Sequence, residues 1–133
     1  MHIAAACIQD RRHVIEHALY WATPASNEEA LYLCAILNSA EITRQVRPLM
    51  SYGKDERHTD KHVWRLPIPE FDSSQSLHME ISQLAHRVEQ EVQALQIDES
   101  KNFVTLRRQI RRFLENNAKG QKIEKLVAEL LGE

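Results

Sequence analysis

Glycine and proline are scarce in this chain, three and four residues in 133. The shortage excludes a sandwich of many short strands joined by tight turns and favours long helices with few breaks. The glycines stand far apart, at 53, 120 and 132, so no glycine-rich turn is available to cradle a nucleotide or S-adenosylmethionine. Cysteine is limited to Cys7 and Cys34, in apolar surroundings and without CxxC spacing. They read as reduced core thiols of a cytoplasmic protein, not as a disulfide framework. The N-terminal apolar run, residues 3–8, is too short to span a bilayer and lacks a basic leader, so neither membrane insertion nor export is expected. Charge is balanced as well: 17 Lys and Arg against 19 Asp and Glu give a net of −2. Composition as a whole therefore points to no polyanion partner. What the chain does have is 43% apolar residues, enough for one core and one domain.

Residues 3–8 and 13–23 read as strands. In "HVIEHALYWAT", Ile15, Leu19 and Trp21 share one face while Glu16 and Tyr20 share the other, the period of two. Behind Pro24, Ser26 and Glu29 have capping-box spacing and announce a helix. That helix carries Leu31, Cys34, Ala35, Asn38, Ile42 and Val46 on one stripe, with Leu33, Ile36 and Leu37 widening it. It is expected to be long, buried on two sides, and ended by Pro48. Residues 51–62 have no periodicity and read as a loop. "VWRLPIP" follows as an extended, stiff segment, since Pro67 and Pro69 push Leu66 and Ile68 toward extended geometry.

Asp72, Ser73 or Ser74 then offers an N-cap to a helix over about 75–97, with Leu77, Ile81, Leu84, Ala85, Val88, Val92 and Leu95 at three- and four-residue spacing. A third helix, over about 99–117, shows Phe103, Leu106, Ile110, Phe113 and Leu114, and Gly120 is expected to break it. A last short helix presents Ile123, Leu126, Val127, Leu130 and Leu131. The fold expected is α+β: a small N-terminal antiparallel sheet packed on a long buried helix, then a helical C-terminal half. Residues 1–98 form the main domain and 99–133 a helical extension packed on it. Charge is segregated along the chain. Residues 70–99 hold one basic and seven acidic residues, and residues 100–119 hold six basic and one acidic.

Several chemistries lack the residues they need. His58 and His62 are four apart with Asp60 between them, but the segment is not helical and no third ligand stands nearby. No cluster of acids with a lysine follows a strand as a metal-dependent nuclease requires, and no serine sits on a nucleophile elbow. No catalytic centre, cofactor or metal is therefore expected. Binding remains. The loop offers Lys54, Arg57, His58, Lys61, His62 and Arg65, residue types that contact phosphates and read guanine edges; the plainer reading pairs the loop's cations with Asp55, Glu56 and Asp60. Arg107, Arg108, Arg111 and Arg112, spaced i, i+1, i+4, i+5, form one helical stripe opposite the apolar face, a phosphate track. The plainer reading there is pairing with the acidic helix of residues 80–91.

Four segments in order then resemble the C-terminal specificity region of adenine-N6 DNA methyltransferases, in the form found in Taq-type methylases and fused restriction–modification enzymes. They are Glu29 to Ser39 ("EALYLCAILNS"), Arg57 to Val63 ("RHTDKHV"), Leu66 to Asp72 ("LPIPEFD") and His78 to Glu89. The resemblance covers roughly residues 13–95, and its "LPIP" turn with the following helix is also similar to target-recognition subunits of type I systems. It implies a non-catalytic DNA-recognition module whose partners are double-stranded DNA and a separate methyltransferase catalytic subunit or domain. The chain itself has no Asn-Pro-Pro-Tyr-type motif. The arginine helix lies beyond the match, so nothing carries over to it. The rival expectation is a helical protein-interaction subunit that docks on a partner or forms a homodimer through its charged helices and the apolar face at 123–131.

Overall fold

The computed structural model describes residues 4–9, 12, 22–49 and 66–132. Among them the protein is all-α: α1 (Asn27–Asn38), α2 (Ala40–Val46), a 3-10 turn (Arg47–Leu49), α3 (Ser76–Gln93), α4 (Phe103–Asn116) and α5 (Ala118–Leu130). The expected α+β class is thereby overturned, because no described residue belongs to a strand. The second expected strand falls largely on residues 13–21, which lie outside the described residues.

The reason the first expected strand fails is visible in its hydrogen bonds. Residues 4–9 carry no helical or strand assignment, and they lie along α1 where a sheet was expected. Residues 5, 7 and 9 share one side of an extended chain at about 6.6 Å per two residues, and a helix offers like-facing residues about 6 Å apart at i and i+4. The two rows match. Ala5 meets Asn38 and Cys34, Cys7 meets Ala30, and Gln9 meets Asn27. The Asn38 amide takes the place of a neighbouring strand: its Oδ1 accepts from the Ala5 N–H at 3.1 Å, and its Nδ2 donates to the Ala5 carbonyl at 2.9 Å. Side chains of one helix satisfy backbone that a sheet would otherwise pair.

The expected single long helix is two. Its start is as read: the Ser26 hydroxyl accepts from the Glu29 N–H, and the Glu29 carboxylate reaches back to the Ala25 N–H. Ser39, however, is extended at ψ 151 and serves as both the C-cap of α1 and the N-cap of α2. Its buried hydroxyl donates to the Ile36 carbonyl at 2.6 Å and accepts from the Ile42 N–H at 3.2 Å, the local competition with helix backbone that serine offers. The Glu124 carboxylate of α5 completes the corner by accepting from the Ala40 N–H.

Tyr32, Ile36, Ile42, Val46, Ile81, Leu84, Val88, Ile123 and Val127 form the core. It is built by α1, α2, α3 and α5. The three- and four-residue spacing of α3 puts Ile81, Leu84 and Val88 on one buried face, as amphipathicity requires. Its N-cap differs from expectation. Gln75 takes the cap position without a side-chain bond, while Asp72 closes a tight turn by accepting from the Ser74 N–H and hydroxyl. Helix α4 contributes no buried residue. It ends at Asn117, extended at ψ 130, which also caps α5. Gly120, expected as the breaker, lies inside the first turn of α5 instead. There a Cβ would run into the Leu114 backbone carbonyl, so the residue is required by close approach of the two helices and not by a break.

Candidate nucleic-acid interface

Ten cations were singled out in the sequence. Lys54, Arg57, His58, Lys61, His62 and Arg65 lie outside the described residues, as do Asp60 and both tryptophans. The other four are on α4. Asn102 starts that helix by accepting from the Thr105 N–H, and the heptad-like spacing then divides its surface. Leu106, Ile110, Phe113 and Leu114 turn inward, half-buried, while Arg107, Arg108 and Arg112 stand exposed and Arg111 is half-buried.

Val104, Arg107, Arg108 and Arg111 line a shallow open groove along one row of the helix. Val104 is 61% exposed at the N-terminal end of this row, and Phe103 is 69% exposed beside it. Phe103, expected on the apolar face, is thus at the surface, and Val104 joins it there unanticipated by the spacing of the helix's larger apolar residues. Its place three and four residues before Arg107 and Arg108 was the available signal. The Arg107 guanidinium sits 5.3 Å from the centroid of the Phe103 ring, a cation–π contact that holds both side chains at the surface.

Among the described residues no acidic side chain forms an ion pair with any of the four arginines. Two of the three acids of α3 are engaged elsewhere. Glu91 pairs with Lys119 and accepts from the Asn117 amide at 2.7 Å, and Glu80 pairs with Lys122 at 2.5 Å. Both lysines belong to α5, so the acidic helix is matched by α5 and not by the arginine helix. Hydrogen bonds from Lys119 and Asn117 hold the Glu91 carboxyl below its ordinary range. At the inner edge of the arginine row, Glu124 is pushed up by burial, and the Ala40 N–H and the charge of Arg111 pull against that shift.

The segment Leu66–Asp72 is fixed to the helices on both sides. An inverse γ-turn around Pro67 closes with the Ile68 N–H donating to the Leu66 carbonyl at 2.8 Å. The buried Tyr32 hydroxyl of α1 donates to the Pro69 carbonyl at 2.8 Å. His78 of α3, also buried, accepts at Nδ1 from the Asp72 N–H at 3.0 Å. The rings of Tyr32, Phe71 and His78 pack together, with Tyr32 centred 5.2 Å from Phe71 and 5.0 Å from His78. No group of three or more His, Cys, Asp or Glu suited to a metal occurs among the described residues, and no helix among them is long and apolar enough to cross a membrane.

No family model matches the chain, and none of the curated proteins or solved structures compared with it does.

Proposed function

We propose that the protein is a cytoplasmic, non-catalytic DNA-binding module that uses α4 as a phosphate track. The observation that carries this reading is the set of four arginines on one helix, none in an ion pair with a described acid, while Glu80 and Glu91 of the acidic helix pair with lysines of α5. Arginine forks suit phosphate oxygens, and the exposed Arg107, Arg108 and Arg112, without an ion-pair partner among the described residues, leave the pairing to a ligand. The ordered resemblance over residues 13–95 supplies the context: a recognition module of a DNA adenine-methylation or restriction–modification system, acting beside a separate methyltransferase. In that context the Tyr32 and His78 hydrogen bonds give Leu66–Asp72 a fixed geometry, and an element ordered in advance loses less entropy on binding.

Fluorescence anisotropy of the intact chain with a random duplex of about 30 base pairs is the direct test, because phosphate contacts release counterions and weaken with salt. Binding that falls steeply with salt and is lost in Arg107→Ala/Arg108→Ala/Arg112→Ala supports the reading. Binding that is absent at low salt, or unaffected by those substitutions, removes it.

The exposed Phe103 and Val104 favour a second reading, a protein-interaction subunit that buries them against a partner or a second copy. Sedimentation of the parent and of Phe103→Ala/Val104→Ser separates the two. A concentration-dependent dimer lost in the variant belongs to the second.

A further inference from the structure

Cys7 and Cys34 come together although 27 positions separate them in the sequence. The Cys7 thiol donates to the Ala30 carbonyl at 3.3 Å, the same carbonyl that accepts the Cys34 amide in the α-helical ladder of α1. Reciprocally, the Cys34 thiol donates to the Ala5 carbonyl at 3.5 Å, two residues before Cys7. Asn38 ties the two sides together, with Nδ2 at 2.9 Å from the Ala5 carbonyl and 3.4 Å from the Cys34 sulfur. Each thiol thus reaches backbone beside the other cysteine, and each influences the ionisation of the other. Both cysteines are half-buried, neither sealed in the core nor freely exposed. Among the described residues, the segment that carries Cys7 is tied to α1 through side-chain hydrogen bonds and not through a backbone ladder.

We propose that Cys7 and Cys34 are a site of reversible oxidation that forms an intramolecular disulfide by exchange with low-molecular-weight disulfides, fastening residues 4–9 to α1. The reaction takes two steps. The Cys7 thiolate attacks one sulfur of the small disulfide, breaking its S–S bond and releasing one thiolate. The Cys34 thiolate then attacks the Cys7 sulfur of the mixed disulfide, forms the Cys7–Cys34 bond and releases the second thiolate. The protein gives up two electrons, the small disulfide is reduced, and the two thiol protons end on the two released thiols. Cys7 is the entry point because it is nearer solvent. Cys34 is the more deeply desolvated thiol, pushed up to about 12, with the Glu89 carboxylate adding to the effect. Burial raises Cys7 too. A pair with so little thiolate at neutral pH exchanges slowly, so the site responds to sustained oxidation and its rate climbs as pH rises.

The test incubates the intact chain with glutathione disulfide at pH 8.5 and follows it by mass spectrometry, native and in concentrated urea, alongside Cys34→Ser. The expected native product has lost two hydrogens and carries no glutathione, while Cys34→Ser stops at a glutathione adduct on Cys7. The effective concentration for closure should exceed the urea value by about tenfold or more, since a flexible loop supplies only the millimolar range. Hydrogen exchange at the Ala5 amide, which is bonded to Asn38, should slow in the oxidised chain. Persistent mixed disulfides, intermolecular dimers, closure no more favourable than in urea, or unchanged exchange at Ala5 would each overturn the proposal.

Discussion

Tyr32 shows how one side chain joins elements distant in sequence. It has no solvent exposure, and its hydroxyl spends its proton on the Pro69 carbonyl. Burial pushes the phenol from its ordinary 10.0 up to about 12. Between those values the folded chain keeps a proton that the unfolded chain has lost, so stability is complete below pH 10 and declines as pH rises toward 12. Cys34 acts in the same direction from 9.0 upward. Tyr32→Phe should therefore cost about 1 kcal/mol near neutrality, the worth of one hydrogen bond, and the difference should narrow or reverse at alkaline pH. Urea unfolding of both proteins at pH 8 and pH 11 measures this. An equal difference at the two values would mean that the phenol does not titrate as part of the fold.

At the scale of elements, two polar residues turn the chain, Ser39 between α1 and α2 and Asn117 between α4 and α5. Asn117 is the busier corner. Its Oδ1 accepts from the Lys119 and Gly120 N–H groups at 2.9 and 3.2 Å, and its Nδ2 donates to Glu91 of α3. Asn117→Ala should cost about 1–2 kcal/mol through loss of the cap. Aspartate normally caps as well as asparagine, yet Asn117→Asp should also destabilise, because it removes the donor to Glu91 and sets two carboxylates together. Thermal unfolding of the two variants checks this, and an Asp variant as stable as the parent would show that the Glu91 contact is idle. These corners mark the limit of what the sequence discloses. Periodicity located α3, α4 and α5 to within a few residues because each has one clean apolar stripe. It ran straight through Ser39, since Ile42 and Val46 continue the stripe of α1 and only the serine hydroxyl breaks the backbone. It misassigned Gly120, which owes its place to the nearby Leu114 carbonyl, a tertiary contact no local pattern contains. Residues 4–9 misled for a related reason. Their apolar run suggested a strand, but what they pair with is a helix row headed by Asn38.

For the whole molecule the decisive property is how charge is arranged around a nearly neutral total. Glu80 and Glu91 of α3 pair with lysines of α5, and Arg107, Arg108 and Arg112 of α4 are left to the surface. The four arginines were legible as a stripe from spacing alone, whereas their lack of acidic partners depends on α5 pairing with α3 and could not be read in advance. If all four contact phosphates, the logarithm of the duplex affinity should fall with the logarithm of salt at about 0.9 per contact, roughly a hundredfold between 50 and 200 mM. Replacing all four by lysine distinguishes charge from shape. Lysine keeps the point charge but not the planar fork, so a track that only neutralises phosphate keeps its salt slope and most of its affinity. A row that reads base edges with bidentate arginine contacts keeps the slope but loses about 1–3 kcal/mol for each such contact. A parent chain with neither slope nor affinity would assign the arginines to something other than a polyanion. Circular dichroism should read the same for the lysine variant as for the parent, because Arg107, Arg108 and Arg112 are exposed and the half-buried Arg111 is not part of the core.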